Sequence, residues 1–265
     1  MSDELTYAKY LRIDELLALQ TPQSRVAGRE EHDEMLFIVI HQVYELWFKQ
    51  VLHELDHAVA LMADDEPVRC GHTLKRVLTI MKVMVAQMDV LETMTPLEFL
   101  TFRERLESGS GFQSSQFREL EFLLGHKRDG VHDALSVDSE VRARLDRRAA
   151  TPSLWASFCA HLARRGHPVP ADVLSRDPRA ATAADERVQD VLVAVYRGDQ
   201  EAAQLCERLV DLDEGLQEWR YRHVKMVERT IGTKPGTGGS SGAEYLRSTL
   251  GRPVFPDLWA IRSRL

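Results

Sequence analysis

Three groups of residues in this sequence have the types and spacing that chemistry needs. The first is His53-Glu54-Leu55-Asp56-His57, an H-E-x-x-H run. On a helix its two imidazoles share a face and the glutamate can polarise a metal-bound water, the arrangement of zinc hydrolases. The apolar positions Val51 and Leu55 leave His53, Glu54, Asp56 and His57 on or beside the polar side, and no third-ligand element follows. A solvated helix face is therefore the favoured reading. The second group is GTKPGTGGSSG, residues 232–242. Its Gly236-x-Gly238-x-x-Ser241 spacing approaches a dinucleotide fingerprint, but no strand pattern precedes it and it lacks the Gly-Lys-Ser/Thr of a P-loop. What remains is a row of backbone N–H groups, with the Thr237 hydroxyl, ahead of a helix expected from near Ala243. Such a row can cradle a carboxylate. The third group is a pair of histidines on apolar helical faces. His223 has Trp219 four residues before it and Val227 four after; His41 has Phe37 one turn earlier and Ile40 beside it. Either one alone is most simply a hydrogen-bonded core histidine. Two from separate helices can instead flank a flat apolar cofactor, one ligating iron and the other lining the opposite side. No C-x-x-C-H is present, so a haem there is not attached in the c-type manner.

The elements that must position these groups are helical. Leu36, Val39, Ile40, Val43, Leu46, Trp47, Val51 and Leu55 recur at three- and four-residue steps, the stripe of a long amphipathic helix. Leu74, Val77, Leu78, Met81, Val85 and Met88 repeat the pattern, as do Val188, Val191, Leu192 and Val195, and Leu212, Leu216, Trp219, Met226 and Val227. Alternating strand patterns joined by Asn-Gly or Asp-Gly are absent. Thr95-Pro96 marks a helix start and Gly232 a helix end. These signals predict an all-α protein of about eight to ten helices. Residues 126–205 carry more Arg, Ala and Asp and less apolar periodicity, so they are expected as a peripheral helical insertion in which the arginines between 142 and 148 form a solvated face. The glycine-rich run lies 23 residues from the C-terminus, too close to precede a domain, and reads as a ligand-covering loop.

Composition narrows the function. Among 265 residues, 34 are Lys or Arg and 41 Asp or Glu, a net charge of −7. That balance lacks the basic footprint a dedicated nucleic-acid binder needs. No apolar stretch approaches the roughly 18 residues of a membrane span, and the start, Met1-Ser2-Asp3-Glu4, is polar rather than signal-like. Cys70, Cys159 and Cys206 are too few and too scattered for a disulfide framework and read as buried thiols in a reducing compartment. A cytoplasmic protein is expected.

Several segments resemble the tryptophan 2,3-dioxygenase family. They are LTYAKYLRIDELLALQ (5–20), HDEMLFIVIHQVYELWFKQVLHEL (32–55), LETMTPLEFLTFRERL with SGFQSSQFRELEFLLG (91–125), and LQEWRYRHVKMVERTIGTKPGTGGSSG (216–242). They cover about half the chain in the family's order. The resemblance implies one helical haem-dioxygenase-like domain over residues 1–265, a bundle around a non-covalent haem b, with 126–205 variable. It implies that His223 is the proximal iron ligand and that His41 hydrogen-bonds the indole N–H of the substrate. Phe37 and Phe99 would pack at the substrate, Arg103 would pair with its carboxylate, and Thr237 would contact its amino-acid end. Ser110 and Gly111 would form a small loop beside the haem. Tyr7, Tyr10 and Leu11 would reach into a neighbour's site within a homotetramer. The implied activity is cleavage of the indole C2–C3 bond of L-tryptophan by O₂ on ferrous haem, giving N-formylkynurenine. A superfamily monooxygenase acting on a substituted tryptophan or indole is the alternative; a non-catalytic haem-binding protein and a zinc hydrolase stand behind it. The sequence departs from the family at Gly109, where alanine or serine often stands, and at Met88, where some bacterial members have tryptophan. The family has no metal at His53 and His57.

Overall fold

In a computed structural model describing residues 4–127, 139–237 and 241–265, the chain opens with three helices of at most five residues, α1 (Tyr7–Leu11), α2 (Ile13–Leu16) and α3 (Gln23–Val26). Helices this short do not hold themselves. The buried Glu34 carboxylate fixes α3 by accepting from the Gln23 and Ser24 backbone N–H groups at 2.8 and 2.9 Å. Glu34 belongs to α4 (His32–Ala63), which turns at positive-φ Asp65 into α5 (Pro67–Leu91). Then follow α6 (Pro96–Arg103) and α7 (Ser115–Leu123). The Thr95-Pro96 start is as expected: Thr95 and Glu98 form a reciprocal capping box with proline in the first turn.

The next helices are α8 (Ser139–Ala149), α9 (Leu154–Arg164), α10 (Ala171–Leu174) and α11 (Glu186–Gly198). The chain closes with α12 (Gln200–Ile231), α13 (Ala243–Arg247) and α14 (Pro256–Ala260). No strand occurs among the described residues, and the fold is all-α. Among the described residues eight helices have eight residues or more, within the expected number; the six shorter ones lack the length to show periodicity in a sequence. No helix among the described residues is long and apolar enough to cross a membrane.

The core is a seam in which α5 packs along both α4 and α12. Leu55 and Met62 of α4, Cys70, Leu74 and Val77 of α5, and Cys206 and Leu209 of α12 are sealed from solvent. Each large side chain there contributes about 1.5–3 kcal/mol by leaving water. Two positions of the expected α4 stripe, Val39 and Leu46, are instead exposed. Arg222 of α12 reaches Asp89 at 2.5 Å, and Arg222 and Arg229 reach Glu92, so α5 and α12 end together. The start of α4 lies at that same end because α4 and α5 form a hairpin.

Residues of α9 and α11, among them Phe158, Leu162, Val188 and Leu192, belong to the same apolar cluster as α4, α5 and α12. The arginines of α8 are only partly solvated. Arg142 and Arg147 are exposed, but Arg144 pairs with Glu119 at 2.6 Å and Arg148 grips Asp56 at 2.5 and 2.8 Å, tying α8 to α7 and α4. The expectation of a uniformly solvated face fails because these carboxylates stand on other helices.

Asp213 of α12 anchors the C-terminal segment. It is fully buried, and one carboxylate oxygen accepts from Val254 N, Phe255 N and Trp259 Nε1 at 2.8, 3.0 and 2.9 Å. Asp213→Ala strands three donors and is expected to cost about 2–4 kcal/mol. That corresponds to a Tm lowered by about 5–10 °C in a scanning calorimeter. An unchanged Tm would show that residues 254–259 are held by something else.

Candidate active site

At the end where α4 begins and α5 and α12 finish, side chains diverge around a cavity of about 260 Å³. It is walled by α4, the end of α5, α6, α12, the 106–118 segment, and residues 236, 237 and 242–249. Eight residues singled out by the sequence line it together: Phe37, His41, Phe99, Arg103, Ser110, Gly111, His223 and Thr237. Its apolar lining, which includes Phe48, Met88, Leu91, Met94 and Val227, explains why both histidines sit on apolar helix faces.

The two histidines are held neutral for the same reason. Burial pushes His41 below its usual value, and burial together with the neighbouring His41 brings His223 down to about 4. His41 Nδ1 lies 2.7 Å from the Phe37 carbonyl, one turn back. A carbonyl can only accept, so Nδ1 carries the proton and Nε2 of the neutral ring is left as an acceptor. The Phe37 ring lies 4.1 Å from the imidazole and meets Phe99 and Phe102 at 5.8 and 5.5 Å, a cluster that fixes the ring's tilt. His223 stacks on Trp219 at 5.2 Å and 15°, the pairing that their four-residue spacing on one helix allows.

The polar side of the cavity is a pair of stitched loops. Arg103 Nη2 donates to the Pro235 carbonyl at 2.6 Å, and among the described residues no carboxylate pairs with it. Thr237 Oγ1 lies 2.6 Å from the Gly109 carbonyl and must be the donor. Ser110 caps the following 3₁₀ turn, accepting from Phe112 N. On the other side Gly242, at φ 61°, closes the glycine-rich loop: a Cβ there would lie 2.8 Å from the Lys234 carbonyl oxygen. The helix expected from Ala243 is present as α13. Residues 238–240, the middle of the proposed carboxylate cradle, lie outside the described residues.

Two buried arginines of the cavity escaped the sequence reading. Arg118 and Arg220 are each about 5% exposed and line the cavity beside Glu121, to which Arg118 is hydrogen-bonded. Arg118 stacks over Phe112 at 4.9 Å, and its buried Nε has no partner among the described residues. A signal existed: Arg220 falls on the same helix stripe as Leu216, Trp219 and His223, where a charge is out of place unless it serves a polar group.

Other residues stand apart from the cavity. Tyr7, Tyr10 and Leu11 on α1 are 76%, 70% and 43% exposed and do not line it. Of the H-E-x-x-H run, His53 and His57 are exposed, but Glu54 is buried. Its carboxylate takes Arg76 of α5 at 2.8 and 3.0 Å and Gln50 at 2.7 Å. The expectation that Glu54 faces solvent is therefore corrected: its partner is 22 residues away and invisible to helix periodicity. No metal-binding cluster of three ligands occurs among the described residues.

A family model for tryptophan 2,3-dioxygenase matches residues 1–144 and 157–265. The chain belongs to the tryptophan 2,3-dioxygenase family. A tryptophan 2,3-dioxygenase of Herpetosiphon aurantiacus is 57% identical over 267 residues, all of both chains. One of Anaeromyxobacter dehalogenans is 57% identical over all of this chain and 97% of its own. One of Caulobacter vibrioides is 44% identical over the full length of both. The cavity fits the haem that a tryptophan 2,3-dioxygenase uses. Its walls are apolar, a neutral imidazole is available for iron, and the orphaned donor of Arg118 suits a propionate carboxylate.

Buried neutral histidines carry a cost in acid. The unfolded chain binds protons near pH 6.5 that folded His223 refuses until about pH 4, so the stability of the haem-free protein falls as pH drops through that window. His41 adds in the same direction. Denaturant midpoints at pH 5 should lie below those at pH 7, and His223→Gln should shrink the gap. An undiminished gap would assign the acid sensitivity elsewhere.

Proposed function

We propose that this chain is a haem-dependent dioxygenase that opens the indole ring of L-tryptophan with O₂ to give N-formylkynurenine. The observation that carries the reading is the meeting of His41, His223 and Arg103 on one apolar cavity in a member of this family. Ferrous haem b, when bound, would supply the site at which O₂ is activated; both oxygen atoms end in the product, so the electrons come from the indole double bond and no reductant is consumed.

The chain supplies orientation. His223 offers a neutral nitrogen to the iron, and Arg118 and Arg220 are placed for the haem carboxylates. Arg103, free of acidic partners among the described residues, pairs its guanidinium with the substrate carboxylate, a match of two planar forks. Thr237, its proton committed to Gly109, offers lone pairs to the substrate ammonium. His41 Nε2 accepts the indole N–H. An indole N–H is a very weak acid, so this bond orients the ring and leaves the proton in place. Phe37 and Phe99 pack on the indole, and the stitched loops exclude water. Both ends of tryptophan are thereby fixed while its C2–C3 bond is presented.

The single-oxygen alternative gains no support from the relatives, which carry the dioxygenase name. The exposed apolar residues of the N-terminal segment, Tyr7, Tyr10 and Leu11, support its docking on a neighbouring subunit; the homotetramer and the cytoplasmic setting in this reading rest on the family resemblance and the sequence alone. The whole chain, 1–265, acts as one domain in this reading.

The decisive assay follows reduced, haem-loaded protein with L-tryptophan under ¹⁸O₂. Two labelled atoms in a ring-opened product are expected; one labelled atom would make the protein a monooxygenase. Arg103→Ala should leave the Soret band intact and raise KM by about 10- to 100-fold, the loss of a hydrogen-bonded ion pair. Unchanged KM would remove Arg103 from the substrate clamp.

A further inference from the structure

The indole of Trp219 lies against the His223 imidazole, with ring centroids 5.2 Å apart and planes 15° from parallel. It is buried, and rings from two other helices wedge it in place. Phe48 and Tyr44 of α4 cross it at 84° and 64°, with centroids 6.0 and 6.5 Å away, and Phe117 of α7 packs at 5.2 Å. Tyr44 is itself pinned to α5, its hydroxyl donating to the Met84 carbonyl at 2.7 Å. The indole cannot turn without displacing side chains of α4 and α7, and the imidazole stacked on it takes its orientation from there.

A histidine that binds a metal ordinarily donates its second ring N–H to a carboxylate or a carbonyl, which fixes the plane of the ring and raises its basicity. His41 has such an acceptor in the Phe37 carbonyl. Among the described residues no side chain or backbone oxygen holds the His223 ring in this way. Its orientation comes from flat contact with Trp219.

Resting on the dioxygenase reading above, we infer that Trp219 is a positioning residue for the iron ligand: its indole face sets the plane of the His223 imidazole and steadies the charge that iron draws from that ring. The face of an indole is electron-rich and attracts a group made electron-poor. The imidazole is poorer in electrons on ferric than on ferrous iron, so the stack favours the ferric state. It therefore holds the reduction potential down, and loss of the indole raises it.

The test is a spectroelectrochemical titration of the haem-loaded protein, with the iron–histidine stretch of the ferrous form recorded alongside. For Trp219→Leu, the ferric/ferrous equilibrium is expected to move about tenfold toward ferrous, a midpoint raised by about 59 mV, with a broadened stretch. Trp219→Met, which fills the space without a ring, should follow leucine. Trp219→Phe, which keeps a ring able to stack, should move less than about half as far and keep a narrow stretch. Equal shifts in all three variants, a lowered midpoint, or potentials and stretches unchanged from the wild type would overturn the inference. So would failure of both the Leu and Met variants to take up haem, which would make Trp219 a packing residue alone. A wild-type protein with no iron–histidine stretch would instead overturn the role given to His223 in the dioxygenase reading.

Discussion

Leu55, Met62, Leu74, Val77 and Leu209 meet without water between α4, α5 and α12, and every other placement in the molecule is referred to that contact. Because α5 packs against both 32-residue helices, their register is fixed along its length. A residue near the start of α4 and one near the end of α12, 182 positions apart, are therefore brought to one end of the bundle. There the apolar seam opens into the cavity that His41 and His223 share.

The seam that fixes geometry also fixes electrostatics. Burial keeps both imidazoles neutral, and neutrality is what the two proposed roles require: a lone pair for iron from His223, and a lone pair for an indole N–H from His41. The Phe37 carbonyl suits the second proposed role by accepting from His41 Nδ1–H, which leaves Nε2 as the acceptor. Guanidiniums stand at the margins of the cavity, Arg103 on the loop side and Arg118 and Arg220 near Glu121. An apolar chamber with guanidiniums at its polar margins suits a ligand that is flat and apolar in the middle and anionic at its edge.

Much of this was legible from residues, for identifiable reasons. Long helices announce themselves because each turn must bury a side chain, so α4, α5, α11 and α12 stand out as stripes. The helices α1, α2, α3, α10, α13 and α14 have four or five residues and no stripe to read. Contacts such as those of Glu34 and Asp213, made with distant segments, hold some of this structure in place. Periodicity puts Glu54 and Arg148 on solvated faces for the same reason, since their partners Arg76 and Asp56 lie far along the chain. Periodicity alone left His41 and His223 as ordinary core histidines. Extended motifs singled them out, and the cavity brings them together. Arg118 and Arg220 were legible only as charges on apolar faces, a signal that gains meaning once the cavity is seen.

The central claim is that one cavity holds two neutral histidines of unlike purpose, and resonance Raman spectroscopy of the ferrous, haem-loaded protein tests it most directly. The account predicts a five-coordinate haem with a single iron–histidine stretch, lost in His223→Ala and retained in His41→Ala. A six-coordinate bis-histidine spectrum, or a stretch that vanishes with His41 and survives without His223, would contradict it.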